Sequence, residues 1–341
     1  MHQFFAKPLF RVEPETFSWR DVILFAHLTG RWEPVVRGIE EGLACVRHTR
    51  SLEDESLEEA VDAAAAEFRY DRELITAAET EAWLGERGLT PVEWLGSVRR
   101  GVLRTHFAEL LPDLSESFRA SRQDIERAAR VDLLCTGLGR ELAEAFAEHA
   151  AAAAEVGSQA RAAPAATLPE PLLAGLDPAH VGERLALIEQ IIHGVEQFRL
   201  THITDDALVR EVRKHQMDWV RLDCESVAFP DLPQAREAAL CIREDGLSIT
   251  EVAASAHLEV VAAQVYVDDI EASLRPLFLS AIPGDVIGPA VGEEGATVFH
   301  VLSKRMPAES DPALRERAAG RLLARALEIE SRRRVQWLIG W

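Results

Sequence analysis

The chain has no asparagine, and its 341 residues contain lysine only at Lys7, Lys214 and Lys304. The missing asparagine excludes every N-glycosylation acceptor, and the Gly-Lys-Ser/Thr sequence of a Walker phosphate loop does not occur. The four cysteines are far apart and form no C-x-x-C pair, so neither a disulfide framework nor a zinc–thiolate site is predicted. We therefore expect no metal and no cofactor.

Positive charge is also scarce. Lysine and arginine total 37 against 57 aspartate and glutamate residues, which gives a formal net charge of -20. Such a field repels phosphate backbones and anionic membrane surfaces. The chain has no apolar run of 18 residues and no signal-peptide pattern at its start. These absences predict a cytoplasmic protein that binds neither nucleic acid nor membrane.

Helical periodicity dominates the first part of the chain. Two capping boxes, Thr76–Glu79 and Thr90–Glu93, each predict a helix start, because the threonine accepts an amide bond and the glutamate reaches back to the cap. Residues 1–156 are therefore predicted to form a helical domain. An alanine- and proline-rich linker is predicted at 157–178, followed by helices over 179–219.

The pattern changes after Trp219. A small mixed domain is predicted at 220–306, and one long helix within 307–341 is expected to return to the helical domain. The predicted fold class is α+β, with the small domain inserted in a mostly helical protein. The elements predicted in the small domain are strands at Val220–Phe229, Val260–Val267 and Val298–Leu302 and helices at Pro233–Arg243, from Ser248 to about Ala256, and at Asp268–Leu279.

The small domain resembles a parvulin-type peptidyl-prolyl isomerase. The stretch Ser226–Ala238, continuing through Cys241–Gly246 to Glu251–Ala253, is similar to that family's first strand, A-x-E-A helix, glycine turn and short second helix. Ile282–Pro289 is similar to its proline–glycine–acid turn before the last strand. The resemblance implies a parvulin-like fold and an apolar pocket for a peptide.

The parvulin pocket is built around two histidines, one on the first strand and one on the last. Counting from the matched motifs, these positions are Ser226 and Thr297, so both histidines are missing. His300 lies three residues beyond Thr297, and an odd offset on a strand points to the opposite face. A shift in register of one or two residues would return His300 to the pocket, so it stays a candidate catalytic residue.

Further candidate residues lie near these positions. Cys224 precedes Ser226 by two residues and shares its predicted face, where a thiolate beside a histidine would be a nucleophile. Phe278 is expected to form an apolar wall for a bound peptide, with Val227 and Phe229 as additional peptide contacts. The glycine- and aromatic-rich segment usual in the family is replaced by His257–Gln264.

The rest of the chain is similar to SurA-like chaperones, in which a helical bundle precedes the isomerase domain and a helix follows it. The segments Phe68–Thr90, Arg236–Gly246 and Asp311–Ala318 together resemble cytoplasmic PpiC-related proteins of ribosomally made peptide natural product maturation. Val131–Leu200 is not covered by the resemblance. The tail Trp337–Trp341 suggests docking onto the bundle or onto a partner subunit, as a homodimer or heterodimer.

Two functions from different classes remain open. In the first, a degenerate, chaperone-like protein holds an extended precursor peptide or unfolded polypeptide between the helical and isomerase-like domains. In the second, an enzyme reuses the pocket for cyclisation or isomerisation of the peptide, with Cys224, Ser226, Thr297 or His300 as its polar groups. A third reading is an assembly scaffold that uses the C-terminal tail.

Overall fold

The computed structural model describes residues 5–51, 55–157, 178–292 and 295–339. Its helices are α1 (Trp19–Leu28), α2 (Trp32–His48), α3 (Glu55–Asp71), α4 (Ala77–Glu86), α5 (Pro91–His106), α6 (Leu111–Ser117), α7 (Arg122–Cys135), α8 (Leu138–Val156), α9 (Pro178–His202), α10 (Asp205–Lys214), α11 (Leu232–Glu244), α12 (Ile249–Ser255), α13 (Arg275–Ser280) and α14 (Pro312–Arg334). Its strands are β1 (Pro8–Val12), β2 (Glu15–Ser18), β3 (Arg221–Phe229), β4 (Val261–Tyr266), β5 (Val286–Gly292), β6 (Gly295–Arg305) and β7 (Gln336–Trp337).

The chain forms two units. One contains residues 1–199 and 327–341, and the other contains residues 200–326. The first is mostly helical, and the second carries an antiparallel four-stranded sheet. The predicted α+β class, with a sheet-containing unit inserted in a helical one, is confirmed. The second unit also includes α10 and most of α14, so it extends beyond the predicted small domain at both ends.

Aromatic rings and alanines form the core of the helical unit. Phe25 and Phe146 stack with ring centroids 4.8 Å apart, and Phe17 meets Phe146 edge-on at 5.0 Å. Ala143 and Ala147 on α8 are fully buried in the same cluster. Small side chains on a helix let its neighbours approach closely, so the alanine-rich helix lies at the centre of this core.

The end of the chain completes a small sheet in this unit. β7 pairs with β1, and Leu338 donates its amide to the carbonyl of Leu9 at 2.8 Å. The Trp337 ring lies 5.4 Å from that of Phe10. The tail as far as Ile339 therefore packs onto its own helical unit, the first of the two dockings expected. A dimer through the tail stays a prediction, and Trp341 and residues 158–177 of the linker lie outside the described residues.

The sheet of the second unit has the strand order β4-β3-β6-β5 and separates two apolar cores. On one face, α11 and α12 cover Val227 and Phe229 near the end of β3. On the other face, α13 and the turn before it cover Leu222 and Cys224 near its start. Each face is thus covered along a different half of β3, and the other half of each face is left more open.

One predicted helix in this unit was wrong. Residues 268–279 form a 3-10 turn at Val267–Asp269 and the short helix α13 instead of one continuous helix. The Asp268 carboxylate accepts hydrogen bonds from Trp219 Nε1 at 3.1 Å and from Arg317 and Arg321 at 2.7 Å each. Because these bonds satisfy a buried charge, they fix the backbone here against its helical tendency.

Candidate functional site

The pairing of β3 with β6 decides which predicted site residues lie together. Ser226 stands opposite Phe299, Ala228 opposite Thr297, and Glu225 opposite His300. Directly opposed residues of an antiparallel pair point to the same face, and neighbours along a strand point to opposite faces. Ser226 and Thr297 therefore share one face of the sheet, and His300 lies on the other face, as the offset of three residues predicted.

Ser226 and Thr297 belong to a surface without charge, here called the uncharged patch. It lies where α13 no longer covers the sheet, and its members are joined by direct cross-strand pairs: Ser226 with Val261 and Phe299, and Thr297 with Ala228 and Ala290. The patch consists of Ser226, Ala228, Val261, Ala290, Thr297 and Phe299. Ala228 is exposed, and Val261 has 54% of its surface accessible.

Few polar interactions occur within the uncharged patch. The Ser226 hydroxyl donates to the carbonyl oxygen of Val261 at 3.2 Å. Phe299 forms the floor, with its ring edge-on to Phe278 at 5.4 Å. Phe278 is fully buried beneath it. The patch therefore offers apolar area and two neutral hydroxyl groups on a rigid sheet, which suits contact with an uncharged ligand.

Cys224 points to the same face as Ser226 but lies in the covered half. Only 1% of its surface is accessible, and its neighbours include Phe278 and Val301. Burial raises the pKa of its thiol to about 11, with Asp223 adding to the effect. At neutral pH the group is a protonated, enclosed thiol, which argues against the nucleophilic role considered from the sequence.

The three residues predicted to contact a peptide are core residues. Val227 and Phe229 are 1% and 3% exposed against α11 and α12, on the face opposite the patch. Phe278 is fully enclosed between α13 and the sheet. A buried side chain offers a ligand no surface. The prediction that these three residues contact a peptide is therefore wrong, and they stabilise the sheet domain as core residues. Their apolar character signalled burial, which sequence alone does not separate from binding.

His300 lies beside a separate cavity of about 560 Å³. Residues from α11, α13, β5 and the turn before β5 line this cavity, including Arg243, Leu277 and Asp285. The His300 Nδ1 atom is 3.3 Å from a carboxylate oxygen of Glu225, its direct cross-strand partner. The structure thus separates His300 from Ser226 and Thr297 and gives it a carboxylate partner that was not recognised from the sequence.

Four members of the uncharged patch, Ala228, Val261, Ala290 and Phe299, were not predicted from the sequence. For Val261 a signal was present, because the sequence of β4, Val-Ala-Ala-Gln-Val-Tyr, carries no charge in a strongly acidic protein. Short uncharged strands are common in cores, so exposure at this sheet edge was needed to distinguish a surface from a core. Among the described residues no group of three or more histidine, cysteine or acidic side chains is placed to hold a metal ion.

Comparison with known proteins adds little to this geometry. No protein-family model matches the chain, and no curated protein matches it. A solved structure from work on PEB4 and the periplasmic protein Cj1289, two SurA-like chaperones of Campylobacter jejuni, aligns over 98% of this chain and 100% of its own. The identity is 9% and the TM-score is 0.19, so the alignment supports no conclusion about function. No described helix is both long and apolar enough to cross a membrane.

Proposed function

We propose that this protein binds an extended, uncharged peptide segment on the uncharged patch and acts as a peptide-binding, chaperone-like protein. The observation that carries the proposal is the composition of this surface. Its six positions hold alanine, valine, serine, threonine and phenylalanine, although 28% of the chain is charged. An exposed apolar surface on an otherwise acidic protein is typical of a binding site.

The side chains of the patch favour binding over prolyl isomerisation. The resemblance to parvulins puts their pocket histidines at Ser226 and Thr297, which carry only neutral hydroxyl groups. Cys224 is enclosed, with its thiol pKa raised to about 11. No group on this surface combines exposure with a proton-transfer pKa near neutrality, as acid–base catalysis requires.

The identity of the peptide rests on sequence resemblance. The similarity to PpiC-related maturation proteins favours a precursor peptide of a ribosomally made natural product, handled in the cytoplasm. An acidic protein would discriminate against acidic peptide segments by charge repulsion, so the bound segment is expected to be neutral or weakly basic.

A second function is favoured by the pair of His300 and Glu225. The Glu225 carboxylate lies 3.3 Å from His300 Nδ1 and can orient the ring, and His300 borders a cavity large enough for a peptide side chain. The second candidate is therefore an enzyme that performs a backbone reaction, cyclisation or isomerisation, on the precursor peptide. Incubation with the wild-type protein would then change the mass or the retention time of that peptide. The absence of this change with the His300→Gln variant would support the second candidate.

The main experiment measures binding of a fluorescein-labelled peptide of alternating valine, threonine and alanine by fluorescence anisotropy. The variant Ala228→Arg places a charge in the centre of the patch and is expected to weaken binding about tenfold or more, because the guanidinium loses hydration under a bound apolar segment. Ala254→Arg is the matched control, since Ala254 is an exposed alanine on α12. Equal binding by both variants would contradict the proposal.

A prolyl-isomerase assay on a short Ala-Pro peptide separates binding from catalysis. We expect no acceleration over the uncatalysed rate. Turnover that disappears in Ser226→Ala or Thr297→Ala would show that the hydroxyl groups of the patch are catalytic, and the protein would then be an isomerase.

A further inference from the structure

The four-stranded sheet has two outer strands, β4 and β5, and their free edges differ. An exposed edge presents backbone N–H and C=O groups that can pair with another strand, so proteins usually block such edges. The difference between these two edges indicates at which edge the proposed peptide binds and that it binds as an added strand.

The edge at β5 is blocked. The guanidinium Nη2 of Arg243 donates to the carbonyl oxygens of Val286 at 2.8 Å and Gly288 at 2.9 Å. Pro289 follows and has no N–H to donate. The pairing of β5 with β6 is also irregular between Ile287 and Ala290. These features remove the regular ladder that an added strand needs.

The edge at β4 has none of these devices. Its pairing with β3 is unbroken from Tyr266, opposite Arg221, to Val261, opposite Ser226. The strand contains no charged residue and no proline. In the described part of the chain, β4 pairs with no strand other than β3. By the measures that proteins use to protect edges, this one is unprotected.

The alternation of hydrogen bonds shows which groups of β4 face outward. The amide of Val267 donates to the carbonyl of Val220 at 3.1 Å, so these opposed residues form a hydrogen-bonded pair. Along an antiparallel ladder such pairs alternate with pairs whose N–H and C=O point away. The backbone groups of Ala262 and Gln264 therefore point outward, and both residues are exposed.

We propose that an extended peptide segment adds to the free edge of β4 as a fifth strand, hydrogen-bonded to the backbones of Ala262 and Gln264. This rests on the proposed function, because the occupant is the same peptide. The neighbours of its alternate side chains are Val261 and Ala263 on the patch face and Ala262 and Gln264 on the other. All are neutral, so the segment is about six residues of uncharged, strand-forming sequence, about 20 Å long.

The protein side of the test compares Gln264→Pro with Gln264→Ala, using the same labelled valine–threonine–alanine peptide. Proline removes an outward N–H that the pairing with β3 does not use, whereas alanine keeps it. Gln264→Pro is expected to weaken binding about tenfold, and Gln264→Ala by less than about twofold. Equal affinities of the two variants would overturn the proposal.

The peptide side of the test needs no protein variant. Two versions of the peptide carry N-methyl groups on alternate residues, one on the odd positions and one on the even positions. In an added strand only one set of amides faces β4, so one version is expected to lose binding and the other to keep it. Equal behaviour of the two versions overturns the edge proposal even if Gln264→Pro fails to fold.

The outcomes also separate this proposal from the proposed function. If the wild-type protein does not bind the unmethylated peptide, both are wrong. If binding is lost in Ala228→Arg but is indifferent to Gln264→Pro and to N-methylation, the peptide binds on the patch without adding a strand. A dimer in sedimentation that Gln264→Pro dissociates would identify a second copy of the chain as the occupant and would overturn the assignment to a peptide.

Discussion

The two open halves of the four-stranded sheet, on its opposite faces, have contrasting chemistry. One half is charged and its groups bind each other: the Asp223 carboxylate accepts from the Ser303 hydroxyl at 2.6 Å and lies 3.1 Å from Arg305, and Glu225 lies 3.3 Å from His300. The other half is the uncharged patch. Charged groups that already have partners gain little from a ligand, whereas an uncovered apolar surface gains by being covered.

The uncharged patch consists of alternate positions along its strands. Its exposed positions come from the same strands as the charged half, so the strand sequences alternate between two environments. If the patch is a binding surface, its residues contribute to peptide affinity and little to the free energy of unfolding. The residues of the charged half then contribute to the free energy of unfolding and little to peptide affinity. Measurements of stability, thiol labelling and pH dependence test this division.

The largest effect is expected beneath the patch. Phe278→Ala leaves a cavity under Phe299 and is expected to lower the free energy of unfolding by about 3–5 kcal/mol, because the ring is fully buried. Leu277→Ala on the same helix is the control and should change it by about 0.5 kcal/mol or less, since Leu277 is 52% exposed. Urea unfolding followed by circular dichroism measures both. Similar losses would mean that α13 does not close this face as described.

An intermediate effect is expected in the charged half. Asp223→Ala leaves the Ser303 hydroxyl and Arg305 without their acceptor and should cost about 1–3 kcal/mol of unfolding free energy. Ser226→Ala, on the same strand but in the patch, should cost about 0.5 kcal/mol or less. A Ser226→Ala protein as unstable as Asp223→Ala would break the division between a stabilising and a binding half.

The smallest effect concerns the boundary between the covered and open parts of one face. Iodoacetamide at pH 8 should leave Cys224 unmodified in the folded protein, because its thiol pKa is raised to about 11 and it is enclosed. In Ser226→Cys, the introduced thiol should react, since that position is partly exposed. Mass spectrometry of the labelled peptides reads both. If iodoacetamide modified Cys224 as fast as the cysteine introduced in Ser226→Cys, the covered part of this face would not extend over Cys224.

The same thiol predicts a dependence of stability on pH. An unfolded cysteine has a pKa of about 8.5, below the folded value, so deprotonation favours the unfolded chain. Cys224 contributes its full share to the free energy of unfolding when the pH is below the pKa of the unfolded cysteine. This contribution is lost as the pH rises towards the folded pKa of about 11. Cys224→Ala should show a shallower loss of stability over this alkaline range than the wild type.

Features that depend on neighbouring residues agree with the sequence pattern. The capping boxes at Thr76 and Thr90 are present, each with the threonine accepting from the amide of the glutamate three residues on. The strand predicted at Val220–Phe229 is β3, Arg221–Phe229. Such features depend on a few neighbouring residues, so no knowledge of distant parts of the chain was needed. The short strands β1, β2 and β7 gave too little periodicity to be recognised, and β5, which begins within the Ile282–Pro289 turn, was not predicted as a strand.

What remained beyond the sequence depends on partners far along the chain. Phe278 and Val261 are both apolar residues of the second unit, yet one is fully buried and the other is 54% exposed. Likewise, the edge at β5 is blocked only because Arg243, far from it in the sequence, donates to the carbonyl oxygens of Val286 and Gly288.

The sequence by itself determined the α+β class, the capped helices and the opposite orientation of Thr297 and His300, because each follows from the composition or from the regular period of a helix or strand. The tertiary structure decided which half of each sheet face is covered, which edge is blocked and which candidate residues lie together. These depend on the order in which β4, β3, β6 and β5 pair and on where α11 and α13 pack. Packing between residues far apart in the chain produces no repeating pattern in the sequence, so it could not be predicted from the sequence alone.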